Sequence, residues 1–282
     1  MEDTPSFIPT VYDFFEKSAR MIFSHMRKRK CEVRSKGAEG LVSGFDREMH
    51  RMLTRFMRGC FPGYEILSEE EKYTWPPKTK KAILIDPLDG THNYLCGLPN
   101  FGTMIAGIED GLVTFSIVYL PVEQMLFNRG FTYAIRGGGA WQSTDDDLRR
   151  FRPIHVAREW PQKESMLFLD GRSKLMDGDG SGRVGANRLK RALRRSRQGL
   201  SLAWDAVLLA SGSDYPVPAV AFASFGCQPH DNIPPCLLVE EAGGKVTDFS
   251  GNPWSLKNCS NLVYSNGVIH DSLLRVLKEK TR

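Results

Sequence analysis

Two aspartates three residues apart, Asp86 and Asp89, close an apolar run in the string Ile83-Leu84-Ile85-Asp86-Pro87-Leu88-Asp89-Gly90-Thr91-His92-Asn93-Tyr94. Carboxylate and carbonyl oxygens are what a hard cation such as Mg²⁺ takes, and open N–H groups at a helix start suit phosphate. The string offers both. Residues 82–85 read as a buried strand, and 89–93 carry the small, polar and acidic residues that start a helix. Pro87 pushes Asp86 toward an extended backbone and removes one N–H where the chain turns. Both carboxylates and the Leu88 carbonyl can then converge beside the helix start, an arrangement for metal-assisted phosphate chemistry. An isolated D-x-x-D also has a plainer reading, since Asp is common at helix N-caps.

The flanking pattern predicts the elements that must position this string. Phe15, Ala19, Ile22, Phe23 and Met26 recur at helical spacing, predicting an amphipathic helix over 11–27. A second helix over 46–61 carries Met49, Met52, Leu53, Phe56, Met57 and Cys60 on one face and stops at Pro62-Gly63. A strand over 64–67 runs into Ser68-Glu69-Glu70-Glu71. Beyond the string, strands over 100–108 and 112–119 meet at Glu109-Asp110-Gly111, a hairpin turn. Strands over 124–128 and 131–135 continue the meander. The triplet Gly137-Gly138-Gly139 lacks the lysine of a P-loop and the strand–helix context of a dinucleotide site.

Asp145-Asp146-Asp147 lies in a linker over 143–161. The second half reads as strand 166–169, helix 188–195, strand 199–203, helix 205–210 and strand 216–225. A helix ending at Gly243-Gly244 follows, then strands 245–248 and 261–265 and a helix over 271–280. Asp177 to Gly182 looks like the start of a calcium loop, but its twelfth position is Arg188 rather than Glu.

Composition sets the outer limits. The 282 residues, 41% apolar and 25% charged, suit a soluble globular chain with a sizeable core. Six cysteines without C-x-x-C spacing and a polar start argue for a reducing cytoplasm, with no membrane span and no zinc site. A net charge of +5 is too mild for nucleic-acid binding. The acid-free run of basic residues from Arg183 to Arg197 reads as a solvated helix face or as a rim that steers anionic substrate.

The string Asp-Pro-Leu-Asp-Gly-Thr resembles the signature of the inositol monophosphatase family, the lithium-sensitive, Mg²⁺-dependent sugar and nucleotide phosphatases. Pro229-His230-Asp231 with Glu241-Ala242-Gly243-Gly244 resembles its second signature, with His230 in place of Trp and Pro234-Pro235 in place of small residues. Ser68-Glu69-Glu70 resembles its Gly-Glu-Glu motif. The resemblance spans most of the chain and implies an α/β fold, an α+β layered sandwich of αβαβα type. Its two subdomains are 1–148, carrying the metal and phosphate site, and 149–282, completing it.

By the same resemblance Glu69, Asp86, Asp89 and Asp231, with the Leu88 carbonyl, ligate metal. They imply on the order of two or three Mg²⁺ ions, with Mn²⁺ as the alternative. Glu69 and Thr91 hold the attacking water, Asp46 accepts a hydrogen bond from Thr91, and the Gly90 and Thr91 N–H groups hold phosphate. Ser201 and Ser224 stand where the family binds substrate, and His230 is a further candidate contact. The implied reaction is hydrolysis of a small phosphate monoester, of the inositol monophosphate type, by an enzyme that is often a homodimer. Histidinol phosphate and 3′-phosphoadenosine 5′-phosphate are the alternative substrates. A non-catalytic metal-binding scaffold is the alternative of another class.

Overall fold

The computed structural model describes residues 4–28, 33–35, 41–144, 150–158, 166–171, 185, 187–190 and 195–278. The acidic linker 145–147 and the glycine-rich stretch 177–182 lie outside them, as do Arg183, Arg191 and Arg194 of the basic run.

Alternation along the strands decides the layers. In β4 (Lys81–Asp89), Ile83 and Ile85 face one way, Ala82 and Leu84 the other. The isoleucines pack with Ile105, Ile117 and Tyr119 under α1 (Phe7–Lys28) and α2 (Gly44–Cys60). Ala82 and Leu84 share a second core with Met104, Ala106 and Val118. Helices α5 (Leu202–Ala210) and α6 (Pro229–Glu241) belong to that second core.

The sheet itself has seven strands in sequence order: β3 (Glu65–Ser68), β4, β5 (Gly102–Glu109), β6 (Leu112–Tyr119), β7 (Phe131–Ile135), β8 (Gly139–Ser143) and β9 (Phe151–Pro153). Every pairing in it is antiparallel except β3 with β4. The β5–β6 turn places Asp110 at φ 47° and Gly111 at φ 82°, the left-handed pair of a two-residue hairpin.

On the far side of α5 and α6 lies a five-stranded sheet. Its order is β11 (Arg195–Arg197), β10 (Met166–Gly171), β12 (Ala219–Phe225), β14 (Leu262–Ser265), β13 (Lys245–Asp248). Its other face packs Leu167, Val220, Ala223 and Val263 against Leu273 and Leu274 of α7 (His270–Lys278). The layers are therefore αβαβα. Helix α6, between two sheets, buries all but three of its residues, which is why it shows no apolar stripe. Burial holds it helical although Pro234 and Pro235, beyond its first turn, donate nothing to the carbonyls four residues back.

Several boundaries differ from expectation. Residues 124–128 are not a strand: 124–127 belong to α4 (Pro121–Phe127) and Asn128 caps its end, while Pro121 at the first turn loses no bond and the chain reverses between β6 and β7. Strand 199–203 is absent: Ser201 caps α5, and the strand lies earlier, at β11. Helix α2 begins at Gly44 because Ser43 caps it, its hydroxyl accepting from the Phe45 and Asp46 N–H groups. The basic run is not wholly a rim, since Arg188 donates to the Leu277 carbonyl at 2.9 Å.

His270 opens α7 completely buried, with Nε2 2.8 Å from Thr247 Oγ1 and Nδ1 2.8 Å from Ser265 Oγ. Burial, reinforced by Lys245 and opposed by Asp271, lowers its pKa to about 4. The unfolded ring takes a proton near pH ~6.5, and the folded ring refuses it until about 4. Stability on its account is therefore lost as pH falls through that window, by up to ~1.4 kcal/mol per pH unit. Urea unfolding across the window is expected to show a steeper acid-side fall for the wild type than for His270→Gln.

Candidate metal centre

The aspartate string is one strand with a bulge, not a strand that ends at residue 85. Asp86 pairs with Met104 and Asp89 with Gly102, so β4 spends three residues where β5 spends two. In a regular strand, positions three apart point to opposite faces. The extra residue restores parity and turns Asp86 and Asp89 to the same side, that of α5 and α6. Pro87, with no N–H for the ladder, sits in the bulge, and its carbonyl accepts from Thr103 Oγ1 at 2.9 Å. The helix that follows, α3 (Thr91–Cys96), begins after Gly90 at φ 80°. A Cβ at Gly90 would lie 2.8 Å from the Asn100 carbonyl, so the turn requires glycine.

Two helix N-termini meet this turn. Asp89 Oδ2 accepts from Ala203 N at 2.9 Å and from Ser201 Oγ, at the start of α5. Asp231 lies in the first turn of α6, its Oδ2 accepting from Gln228 N at 2.6 Å. Oxygens of Asp86, Asp89 and Asp231 lie within 4.8 Å of one another. Glu69, just past the end of β3, is near enough for its charge to act on Asp86, and its N–H donates to the Ile85 carbonyl at 3.1 Å.

Asp86 is 1% exposed. Burial first, then the charges of Glu69, Asp89 and Asp231, hold its carboxyl well above the ordinary range. A donor set of oxygens alone, crowded and partly desolvated, fits a hard divalent cation, which would offset the repulsion.

Thr91 connects this set to α2. Its hydroxyl lies 2.9 Å from Asp46 Oδ1 and 3.0 Å from the Leu88 carbonyl, donating to both. Asp46 Oδ2 accepts from Ser43 N at 2.8 Å and from Ser43 Oγ. Burial raises the Asp46 carboxyl, the Ser43 and Thr91 bonds pull it down, and Glu69 adds to the rise.

The three residues expected at the substrate, Ser201, Ser224 and His230, are all buried. Ser201 is 1% exposed and given to Asp89. Ser224 is wholly buried in β12, with no hydrogen bond to its hydroxyl among the described residues. His230 is buried, with Nδ1 2.7 Å from Tyr73 Oη and Nε2 3.5 Å from Asp231 Oδ1.

Two residues with no expected role stand close by. Tyr73 has its hydroxyl raised by burial and by the Asp231 charge. Asn93 donates to the Asn100, Gly199 and Leu200 carbonyls at 2.6, 2.9 and 3.3 Å. Neither was legible locally, because the partner of Tyr73 lies 157 residues away and two of the carbonyls that Asn93 meets lie 106 and 107 residues on.

Fold and site define a layered α/β protein with an acidic, all-oxygen cluster at the starts of α5 and α6. Residues 6–282 match the model of the inositol monophosphatase family, and the chain belongs to that family of metal-dependent phosphatases. It is similar to the fructose-1,6-bisphosphatase/inositol-1-monophosphatase of Thermotoga maritima, at 28% identity over 93% of this chain and 92% of that protein. It is also similar to the histidinol-phosphatase of Chlorobaculum parvum, at 24% identity over 93% of each. The solved structure of a Thermotoga maritima IMPase matches with a TM-score of 0.77 at 28% identity, over 96% of both chains.

A carboxyl raised in the fold contributes stability below its unfolded value, and that contribution is lost as pH rises through the folded one. On account of Asp86 the metal-free protein is thus weakened at neutral and higher pH. Asp86→Asn is expected to raise the metal-free Tm there and to abolish the further rise that Mg²⁺ gives the wild type. Calorimetric melting with and without Mg²⁺ reads both effects.

Proposed function

We propose that the chain is a Mg²⁺-dependent phosphomonoesterase hydrolysing a small phosphate monoester, with Mn²⁺ able to substitute. The observation that carries this reading is the approach of Asp86, Asp89 and Asp231 to within 4.8 Å. The bound cation would supply charge neutralisation at the phosphate and a water acidic enough to attack at neutral pH. Asp86, Asp89, Asp231, Glu69 and the Leu88 carbonyl would hold it. Thr91, its hydroxyl fixed against Asp46 at 2.9 Å, orients the water together with Glu69. The Gly90 and Thr91 N–H groups meet phosphate oxygens at the start of α3.

A polyol monophosphate of the inositol type is the first substrate reading. One feature favours a second, histidinol phosphate or a 3′-phosphorylated nucleotide. Leu200, next to the Asp89 partner Ser201, is half exposed and held at φ 56°, a backbone that glycine adopts without cost. An apolar side chain there suits a flat ring better than a ring of hydroxyls.

Phosphate release from inositol monophosphate, histidinol phosphate and 3′-phosphoadenosine 5′-phosphate, with and without Mg²⁺ and Li⁺, tests the reading. Mg²⁺-dependent release is expected from at least one ester, with losses of roughly a hundredfold or more in Asp89→Asn and Asp231→Asn. Near-normal turnover in either variant overturns the assignment. In the same panel, Leu200→Gly is expected to shift the kcat/KM ratio toward the inositol ester, and an unchanged ratio removes Leu200 from substrate choice.

A further inference from the structure

The segment that carries Glu69 is anchored at both of its ends, and one anchor reaches a carboxylate of the opposite half. At the near end, His50 of α2 lies with Nδ1 2.8 Å from Ser68 Oγ and Nε2 3.2 Å from Glu71 Oε1. At the far end, Tyr73 Oη stands 2.7 Å from His230 Nδ1. The Tyr73 ring sits edge-on to Trp75 at 6.4 Å, and Trp75 Nε1 donates to the Leu256 carbonyl at 2.6 Å.

His230 is buried, with Nδ1 at hydrogen-bond distance from Tyr73 and Nε2 within ion-pair range of Asp231. Nε2 faces Asp231 Oδ1 at 3.5 Å, and a carboxylate oxygen only accepts. With the ring hydrogen on Nε2, toward that oxygen, Nδ1 accepts and the Tyr73 hydroxyl donates. Gln228 N holds the other oxygen of Asp231 at 2.6 Å. The carboxylate is gripped from its own cap on one side and faced by the histidine on the other.

We infer that Tyr73 and His230 are positioning residues that fix the Asp231 carboxylate toward the cation and keep it in register with Glu69. The inference rests on the metal site proposed above. Its physical basis is the repulsion within the set. Asp231 is the least buried of the three aspartates, with its side chain 20% exposed, and so has the most room to turn away when no cation is bound. A polar group aimed at a ligand from behind limits that turning, and removing such a group weakens metal affinity by roughly ten- to a hundredfold. If the ring pair merely filled space, removing one hydroxyl would leave cation affinity where it was.

Mn²⁺ binding, followed by electron paramagnetic resonance of the free ion, separates these cases. Tyr73→Phe removes one oxygen and keeps the ring. It is expected to raise the Mn²⁺ Kd about tenfold, with little change in the urea midpoint of the metal-free protein. The Mn²⁺ concentration giving half-maximal phosphate release rises in parallel. His230→Asn, which withdraws the N–H from Asp231, is expected to match it, and the double variant to lose little more than either alone.

A Tyr73→Phe protein that binds Mn²⁺ as tightly as the wild type overturns the inference alone, as does a double variant whose loss is the product of the two. A wild type that binds no Mn²⁺ overturns the metal site and the inference with it.

Discussion

Three carboxylates within 4.8 Å of one another, one of them 1% exposed, repel strongly unless a cation offsets their charge. Much of the surrounding architecture answers that repulsion. Helices α5 and α6 both point their N-termini at the set, where the unpaired N–H groups carry partial positive charge. Asp89 takes an N–H from the first and Asp231 an N–H from the residue capping the second. Each such contact contributes about 0.3–1 kcal/mol near a surface and more where water is scarce. These are partial charges set against whole ones, so the residual demand is for a cation.

The placement of those helices follows from the layers. A helix between two sheets must be apolar nearly all round, and α6 is, leaving its first turn as the place for polar side chains. The β4 bulge answers from the other side. Without its extra residue, Asp86 and Asp89 would lie on opposite faces of the sheet, one of them under α1 and α2. Pro87 and the glycine at 90 are the local residues that make the bulge and the turn after it, so the mutual placement of Asp86 and Asp89 is encoded within five positions.

That local encoding explains what could be read from the sequence and what could not. Asp86 and Asp89 were legible because they share one short string with a proline and a glycine. The β5–β6 hairpin was legible because Asp110-Gly111 accepts left-handed backbone wherever it occurs. The run over 124–128 was misread as a strand because its apolar residues, Met125, Leu126 and Phe127, face solvent and impose no period. Residues 199–203 looked like a strand because nothing local announces that Ser201 caps a helix, accepting from the Trp204 N–H while donating to an aspartate 112 residues away. Tyr73 and His230 belong to the same class: each is unremarkable in its own segment, and the contact exists only after both sheets have packed around α6.

The division between local and distant encoding also separates chemistry from substrate choice. The groups that would hold cation and phosphate sit on a bulge, a turn and two helix starts, places where backbone geometry leaves little freedom. Leu200 sits on the connection before α5, tied down by Asn93 through carbonyls rather than through its own side chain. Exchanging the side chain at 200 alters what flanks Ser201 without touching the bonds that position Asp89. The converse does not hold, since Ser201 serves Asp89 directly and Asn93 holds both segments at once. On the reading proposed above, the side chain at 200 can therefore change while the carboxylate arrangement stays fixed. The left-handed backbone of Leu200, a geometry that glycine adopts without cost, is held from outside by the bond that Asn93 makes to its carbonyl.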